Sequence, residues 1–154
     1  MFKIRHITPE DAEACFITQH ANHYHEGGLY SENAMKFISK FLTDSWVATV
    51  DDKVVGHVIG LIQNLKDPNI PEEYHNLIAY NPLDNCVHPD YRMNGISGAL
   101  TTHLCESYPM IKTQIHADNT AAEHILLTRD FKIVREIPNF YKDGGGTKIL
   151  IREG

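Results

Sequence analysis

With 154 residues, 42% of them hydrophobic, the chain is long enough for a single domain, residues 1–154, with a substantial core. A net charge of −6 without a basic stripe excludes an ordinary nucleic-acid surface, and no apolar run approaches the roughly 20 residues of a membrane-spanning helix. Cys15, Cys86 and Cys105 are widely spaced and include no Cys-x-x-Cys pair, which argues against a disulfide framework or a cysteine zinc site and predicts a reducing, cytoplasmic setting with no metal.

Phe2 to Ile7 alternates polar and apolar residues, as a strand does, and Met1 to Arg5 lacks the apolar stretch of a signal peptide. Thr8-Pro9-Glu10-Asp11 reads as a helix start, with Thr8 as N-cap, and the helix is expected to run to about His25 and stop at Gly27-Gly28. His20 and His23 share a face of it, but a third imidazole at position 25 is poorly placed for a common metal ion. A second helix fits Ser31 to Leu42, with Ala34, Phe37, Ile38 and Phe41 on one face. Ser45 to Val50 and Val54 to Ile62 are apolar runs around Asp51-Asp52-Lys53, the pattern of a hairpin.

Asn64 to Asn81 reads as an irregular stretch, carrying Pro68 and Pro71. Leu83 to Val87 is a strand that feeds Val87-His88-Pro89-Asp90-Tyr91-Arg92-Met93-Asn94-Gly95-Ile96-Ser97-Gly98. Pro89 has no N–H for a ladder, and Gly95 admits close approach to its backbone. Ile96, Leu100 and Leu104 then recur at helical spacing, to about Ser107. The unpaired N–H groups of such a helix start suit a phosphate or pyrophosphate, and Arg92 adds a full charge beside them. Lys112 to Ala117 is a strand, Asn119 to about Arg129 a helix, and Phe131 to Glu136 and Thr147 to Arg152 the last strands. The order β-α-α-β-β-β-α-β-α-β-β gives a mixed α/β or α+β fold with helices covering a sheet.

The segment from Val87 to Gly98 resembles the acetyl-coenzyme A-binding motif of the GNAT superfamily of N-acetyltransferases. In that family a strand ends in Val-x-Pro-x-Tyr/Phe, and Arg/Gln-x-x-Gly-x-Gly/Ala follows. Arg92, Gly95 and Ser97 fill the last three positions, Ser97 being small but neither Gly nor Ala. The element order is also that of the GNAT fold, which implies a central mixed sheet of about seven strands flanked by about four helices. Asn119, Ala122 and Phe131 match the family's second half, Asn-x-x-Ala leading to Gly-Phe. Leu126 stands where many members carry a proton-donating tyrosine, and Asp130 stands where they carry the glycine.

The resemblance implies direct attack of an amine on acetyl-coenzyme A, with no metal. It places Cys86 and Val87 at the thioester end, and Arg92, Met93, Asn94, Gly95, Ile96 and Ser97 around the pyrophosphate. Asn119 and Ala122 then fall beside the pantetheine, although Asn119 also suits a plain helix cap. Because leucine cannot donate a proton, Tyr141 is the substitute acid, in a run that resembles an aromatic pair followed by an Asp-Gly turn. Phe140 and Tyr141 also suit simple packing.

Asp84 is the first candidate base, with Glu26, Glu32, Glu72, Glu73, His75, His88 and His116 behind it. Tyr24, Glu26 and Tyr30 are the acceptor candidates, for a small-molecule amine or a peptide or protein amine. Neither nucleic acid nor membrane is an expected partner, and a homodimer is compatible with the family. A GNAT-fold module that holds an acyl-coenzyme A without efficient transfer is the alternative that Leu126 motivates. A serine hydrolase is excluded because no Gly-x-Ser-x-Gly elbow occurs, and no P-loop follows a glycine loop.

Overall fold

The structure is a computed structural model that describes residues 1–22 and 38–154. Seven strands form one mixed sheet in the order β1-β2-β3-β4-β5-β7-β6. They are β1 (Phe2–His6), β2 (Trp46–Val50), β3 (Lys53–Asn64), β4 (Ile78–Val87), β5 (Met110–His116), β6 (Lys132–Ile137) and β7 (Thr147–Glu153). Among the described residues the α-helices are α1 (Ala12–Ala21), α2 (Ile96–Ser107) and α3 (Thr120–Leu127). Most of the helix expected at Ser31 to Leu42 lies outside the described residues. The chain divides into two compact units, Met1–Leu61 with Pro82–Leu100, and Ile62–Asn81 with Thr101–Gly154.

In the first unit β1 pairs antiparallel with β2, and β2 with β3. The β2–β3 turn needs only Asp51 and Asp52, both with positive φ (50° and 64°), as a tight type I′ hairpin requires. Arg5 joins β1 to the start of α1 through two hydrogen bonds to the Asp11 carboxylate, at 2.8 and 2.9 Å. The same carboxylate accepts the Thr8 N–H at 2.8 Å, so the expected helix start begins as a 3-10 turn at Pro9–Asp11. Helix α1 runs to Ala21, where Asn22 turns back on the last carbonyls; the expected end at His25 and the stop at Gly27-Gly28 lie outside the described residues. Ile7, Ala12, Cys15, Ile38, Val47 and Ile59 make the apolar core of this unit.

In the second unit β5 pairs antiparallel with β7, and β7 with β6. Strand β4 is parallel to β5 through Tyr80 opposite Ile111, and it begins at Ile78, earlier than the expected Leu83. Pro82 hid this strand start, since proline removes a ladder donor. Tyr80 stacks on Tyr108 with ring centroids 4.2 Å apart. Leu65, Ile70, Tyr74, Ala79, Ile149 and Ile151 form the core here, so the irregular stretch before β4 is packed through Leu65, Ile70 and Tyr74.

After α3, Asp130 adopts φ 68° where the related motif has glycine, and Phe131 follows it into the interior. A non-glycine residue in this region pays for the contact between Cβ and the backbone. Asp130→Gly is therefore expected to raise stability by about 0.5–1 kcal/mol, the relief being partly offset by the added freedom of glycine in the unfolded chain. Urea denaturation of the two proteins checks this, and a lower midpoint for the glycine variant would contradict it.

Candidate active site

Strand β4 makes its last ladder contact when the His88 N–H donates to the Val55 carbonyl at 2.7 Å. Pro89 has no N–H to carry the ladder further, and the chain folds into a 3-10 turn at Pro89–Tyr91. His88 Nδ1 accepts the Asp90 N–H at 3.2 Å and tightens that turn. Met93 and Gly95 then take positive φ, 67° and 77°. Gly95 is needed for this conformation rather than for space, since an added Cβ would meet nothing within 4 Å.

Arg92, Met93, Asn94 and Gly95 are exposed, whereas Ile96 is buried and anchors α2 with Leu100 and Leu104. The first helical bond runs from the Ala99 N–H to the Gly95 carbonyl at 3.0 Å. The open N-terminal end of α2, with its partial positive charge, thus adjoins an exposed loop carrying Arg92, as an anion site requires.

Asn22, which the sequence analysis did not single out, ties this loop to α1. Its Nδ2 donates to the Thr18 carbonyl at 2.8 Å and to the Val87 carbonyl at 2.9 Å. Its Oδ1 accepts from Arg92 Nη2. The sequence signal was confined to an asparagine near a helix end, which capping alone explains.

Asp84 and Cys86 lie two residues apart in β4 and so share a face, where both meet His57 of β3. Asp84 Oδ2 is 2.7 Å from His57 Nε2, and Cys86 Sγ is 3.3 Å from the same nitrogen. All three residues are buried, His57 completely. Burial by itself would lower the His57 pKa, but Cys86, Cys15 and Asp84 around the ring outweigh it and hold it well above its ordinary value. Burial pushes the Cys86 thiol up as well, with the His57 ring pulling against it.

A nucleophilic triad needs its acid and its thiol on opposite ring nitrogens. Here both approach Nε2, and a thiol with a raised pKa is a poor nucleophile. The three donor atoms lie within 4.8 Å of one another and are of types that ligate zinc, but the 2.7 Å contact is that of a direct hydrogen bond.

In the second unit Tyr141 stacks on His116, with centroids 4.9 Å apart and planes 5° apart. The Thr147 hydroxyl donates to the Ile115 carbonyl at 2.8 Å, and a hydroxyl has one proton to give. The Tyr141 hydroxyl, 3.2 Å from Thr147 Oγ1, is therefore the donor of that pair. The β6–β7 connection is closed by the Phe140 and Tyr141 N–H groups, which both donate to the Gly145 carbonyl at 2.9 Å. Gly145 leaves room for the histidine, because a Cβ there would come within 2.4 Å of His116 Nε2. His116 also faces Asp143, with Nε2 to Oδ2 at 3.6 Å. A cavity of about 340 Å³ lies against this connection, lined in part by Ala117, Ile137, Pro138 and Thr147.

Asn119 caps α3, its Oδ1 accepting the Ala122 N–H at 3.1 Å. Leu126 is buried and its carbonyl accepts the Phe131 N–H at 3.2 Å, so this position offers packing and no proton. Glu72 and Glu73 are exposed in a 3-10 turn that Tyr74 anchors in the interior, and His75 contacts the Ile70 carbonyl at 2.7 Å. Tyr24, Glu26, Tyr30 and Glu32 lie outside the described residues, as do His23 and His25.

A histidine whose folded pKa is raised contributes stability that is complete below the unfolded value and is lost as pH rises through the folded one. The stabilisation from His57 is thus present below about pH 6.5 and declines above it. Asp84→Asn is expected to cost about 3–5 kcal/mol at low pH and to flatten this decline, because the buried imidazolium loses its counter-charge. Urea denaturation of both proteins from about pH 6 to about pH 9 spans the ordinary histidine range. Equal slopes in the two proteins would contradict the assignment.

Comparison of the sequence with family models gives no match, and comparison with curated proteins gives none either. The structure is similar to Ard1 from Thermoplasma volcanium, at 20% identity and a TM-score of 0.75, covering 98% of this chain and 96% of that one. It is similar to a ribosomal-protein-alanine N-acetyltransferase from Brucella melitensis, at 18% identity and a TM-score of 0.77, with 99% of each chain covered. NAA60 of Arabidopsis thaliana, in complex with acetyl-CoA, matches over 100% of both chains at 18% identity and a TM-score of 0.76. The strand order, the turn after β4 and these full-length matches together give the chain the fold of the GNAT N-acetyltransferases.

Proposed function

We propose that this protein is an acetyl-coenzyme A-dependent N-acetyltransferase that carries the acetyl group to a primary amine by direct attack. The observation that carries the reading is the loop from Val87 to Ile96. It ends a strand at a proline, turns through two left-handed residues and opens a helix beside an exposed arginine, in a chain with the GNAT fold throughout. Acetyl-coenzyme A is the co-substrate, held at Cys86, Val87 and residues 92–97, with Asn119 and Ala122 beside the pantetheine. Asn119 fills the capping role as well, since one side chain serves both.

Tyr141 is the proposed acid. Its hydroxyl donates in the resting state, so it is protonated and oriented by Thr147 and the His116 stack. Asp84 is the proposed base by its position three residues before Val87. Its Oδ2 lies against His57, and His88 or His116 is the alternative with greater exposure. Tyr24, Glu26 and Tyr30 are proposed for the acceptor, a small amine or a peptide or protein amine. The Brucella melitensis neighbour favours the second class, since it is named a ribosomal-protein-alanine N-acetyltransferase.

The second reading is a module that holds an acyl-coenzyme A without efficient transfer, which the buried Leu126 favours. Thiol release from acetyl-coenzyme A, across a panel of amines, amino acids and short peptides, separates the two. Release that depends on one acceptor class is expected. Cofactor binding with no release from any acceptor would support the module.

For the enzyme, Tyr141→Phe is expected to lower kcat by about 100-fold, at the lower end of general-acid effects, with little change in the KM for acetyl-coenzyme A. An unchanged kcat would remove Tyr141 from the chemistry. Mass spectrometry after incubation with acetyl-coenzyme A alone is expected to find Cys86 unmodified, as direct attack and a buried thiol of raised pKa require.

A further inference from the structure

We propose that Asn22 is a positioning residue of the cofactor loop, which rests on the reading of residues 87–97 as the acetyl-coenzyme A site. Asn22 commits both amide hydrogens and its carbonyl oxygen to three separate elements. Both Nδ2 hydrogens are donated, one to Thr18 in α1 and one to Val87 at the end of β4, and Oδ1 receives Arg92. No other side chain of this length supplies two donors and one acceptor at one centre. Aspartate has no donor, serine does not span the three partners, and glutamine moves the amide out of reach.

Two consequences bear on the cofactor. The Arg92 guanidinium sits on an exposed loop, where an unrestrained side chain of this kind loses much of its binding contribution to its own rotamer freedom. Asn22 removes that freedom before the cofactor arrives, which is preorganisation. Asn22 also holds the end of β4 beside α1, because its second amide hydrogen is donated to the Val87 carbonyl where the cofactor loop begins.

The test is a double-mutant cycle of Asn22→Ala and Arg92→Met, read as acetyl-coenzyme A affinity by titration calorimetry. Each single variant is expected to weaken binding roughly tenfold, the scale of a hydrogen bond to a charged group. Arg92→Met in the Asn22→Ala background should weaken it further by no more than about twofold, because the two residues act as one unit. The binding stoichiometry should stay at its wild-type value, whereas a merely structural defect would lower the competent fraction. If Asn22→Ala does not give folded protein, Asn22→Ser goes through the same cycle. Losses that multiply in the double variant, or an Asn22 variant that binds like wild type, would overturn the proposal and leave the functional reading standing. Wild-type protein that does not bind acetyl-coenzyme A would overturn the functional reading itself.

Discussion

Pro89 imposes the constraint on which the candidate site depends. A strand continues only where its residues can join the ladder, and just past the end of β4 the His88 N–H makes the last such bond, to the Val55 carbonyl. The chain must then leave the sheet at once, and it does so through a 3-10 turn and two left-handed residues before α2 begins. The abrupt exit leaves the first-turn amides of α2 beside a short exposed loop rather than under a long connection. Ile96, Leu100 and Leu104 hold the helix by burial, so the loop itself carries no packing duty and its residues are available to a ligand.

The protons of the two candidate catalytic groups are prepared to different degrees. Tyr141 belongs to a directed chain in which Tyr141 gives to Thr147 and Thr147 gives to Ile115. The phenol thus holds its proton at rest, as an acid must. Asp84 is enclosed with His57, and that pair satisfies each member at the cost of withdrawing both from solvent. Such a pair organises β3 against β4 whether or not it ever meets an amine. A thiol against the same nitrogen completes the enclosure without becoming reactive.

Much of this was legible in the sequence, for local reasons. The spacing of Ile96, Leu100 and Leu104 predicts the α2 face, and all three are buried. Pro89 and Gly95 mark the turn because their backbone properties are intrinsic to the residue. The Asp51-Asp52 hairpin follows from two apolar runs too close to be joined otherwise. Contacts between residues distant in sequence were not legible. His57 and Asp84 are 27 positions apart, and Asn22 and Val87 are 65 apart, and no local pattern couples either pair. The early start of β4 was masked by Pro82, since a proline inside an internal strand contradicts the local rule that serves so well at Pro89. Tyr24, Glu26 and Tyr30 lie in a segment that the structure does not describe, and their place in the site rests on the family resemblance.

Gly145 has a consequence for how this fold can be altered. Its missing side chain is the space occupied by His116, and the other face of that ring lies against Tyr141. The end of β5 and the β6–β7 connection are therefore one inseparable part, although 24 residues of chain intervene between His116 and Tyr141. A graft that exchanges the connection for that of another protein must carry its matching β5 terminus with it. Exchanging either piece alone pairs a ring with a hole of the wrong shape, and the seat of the phenol is lost along with it.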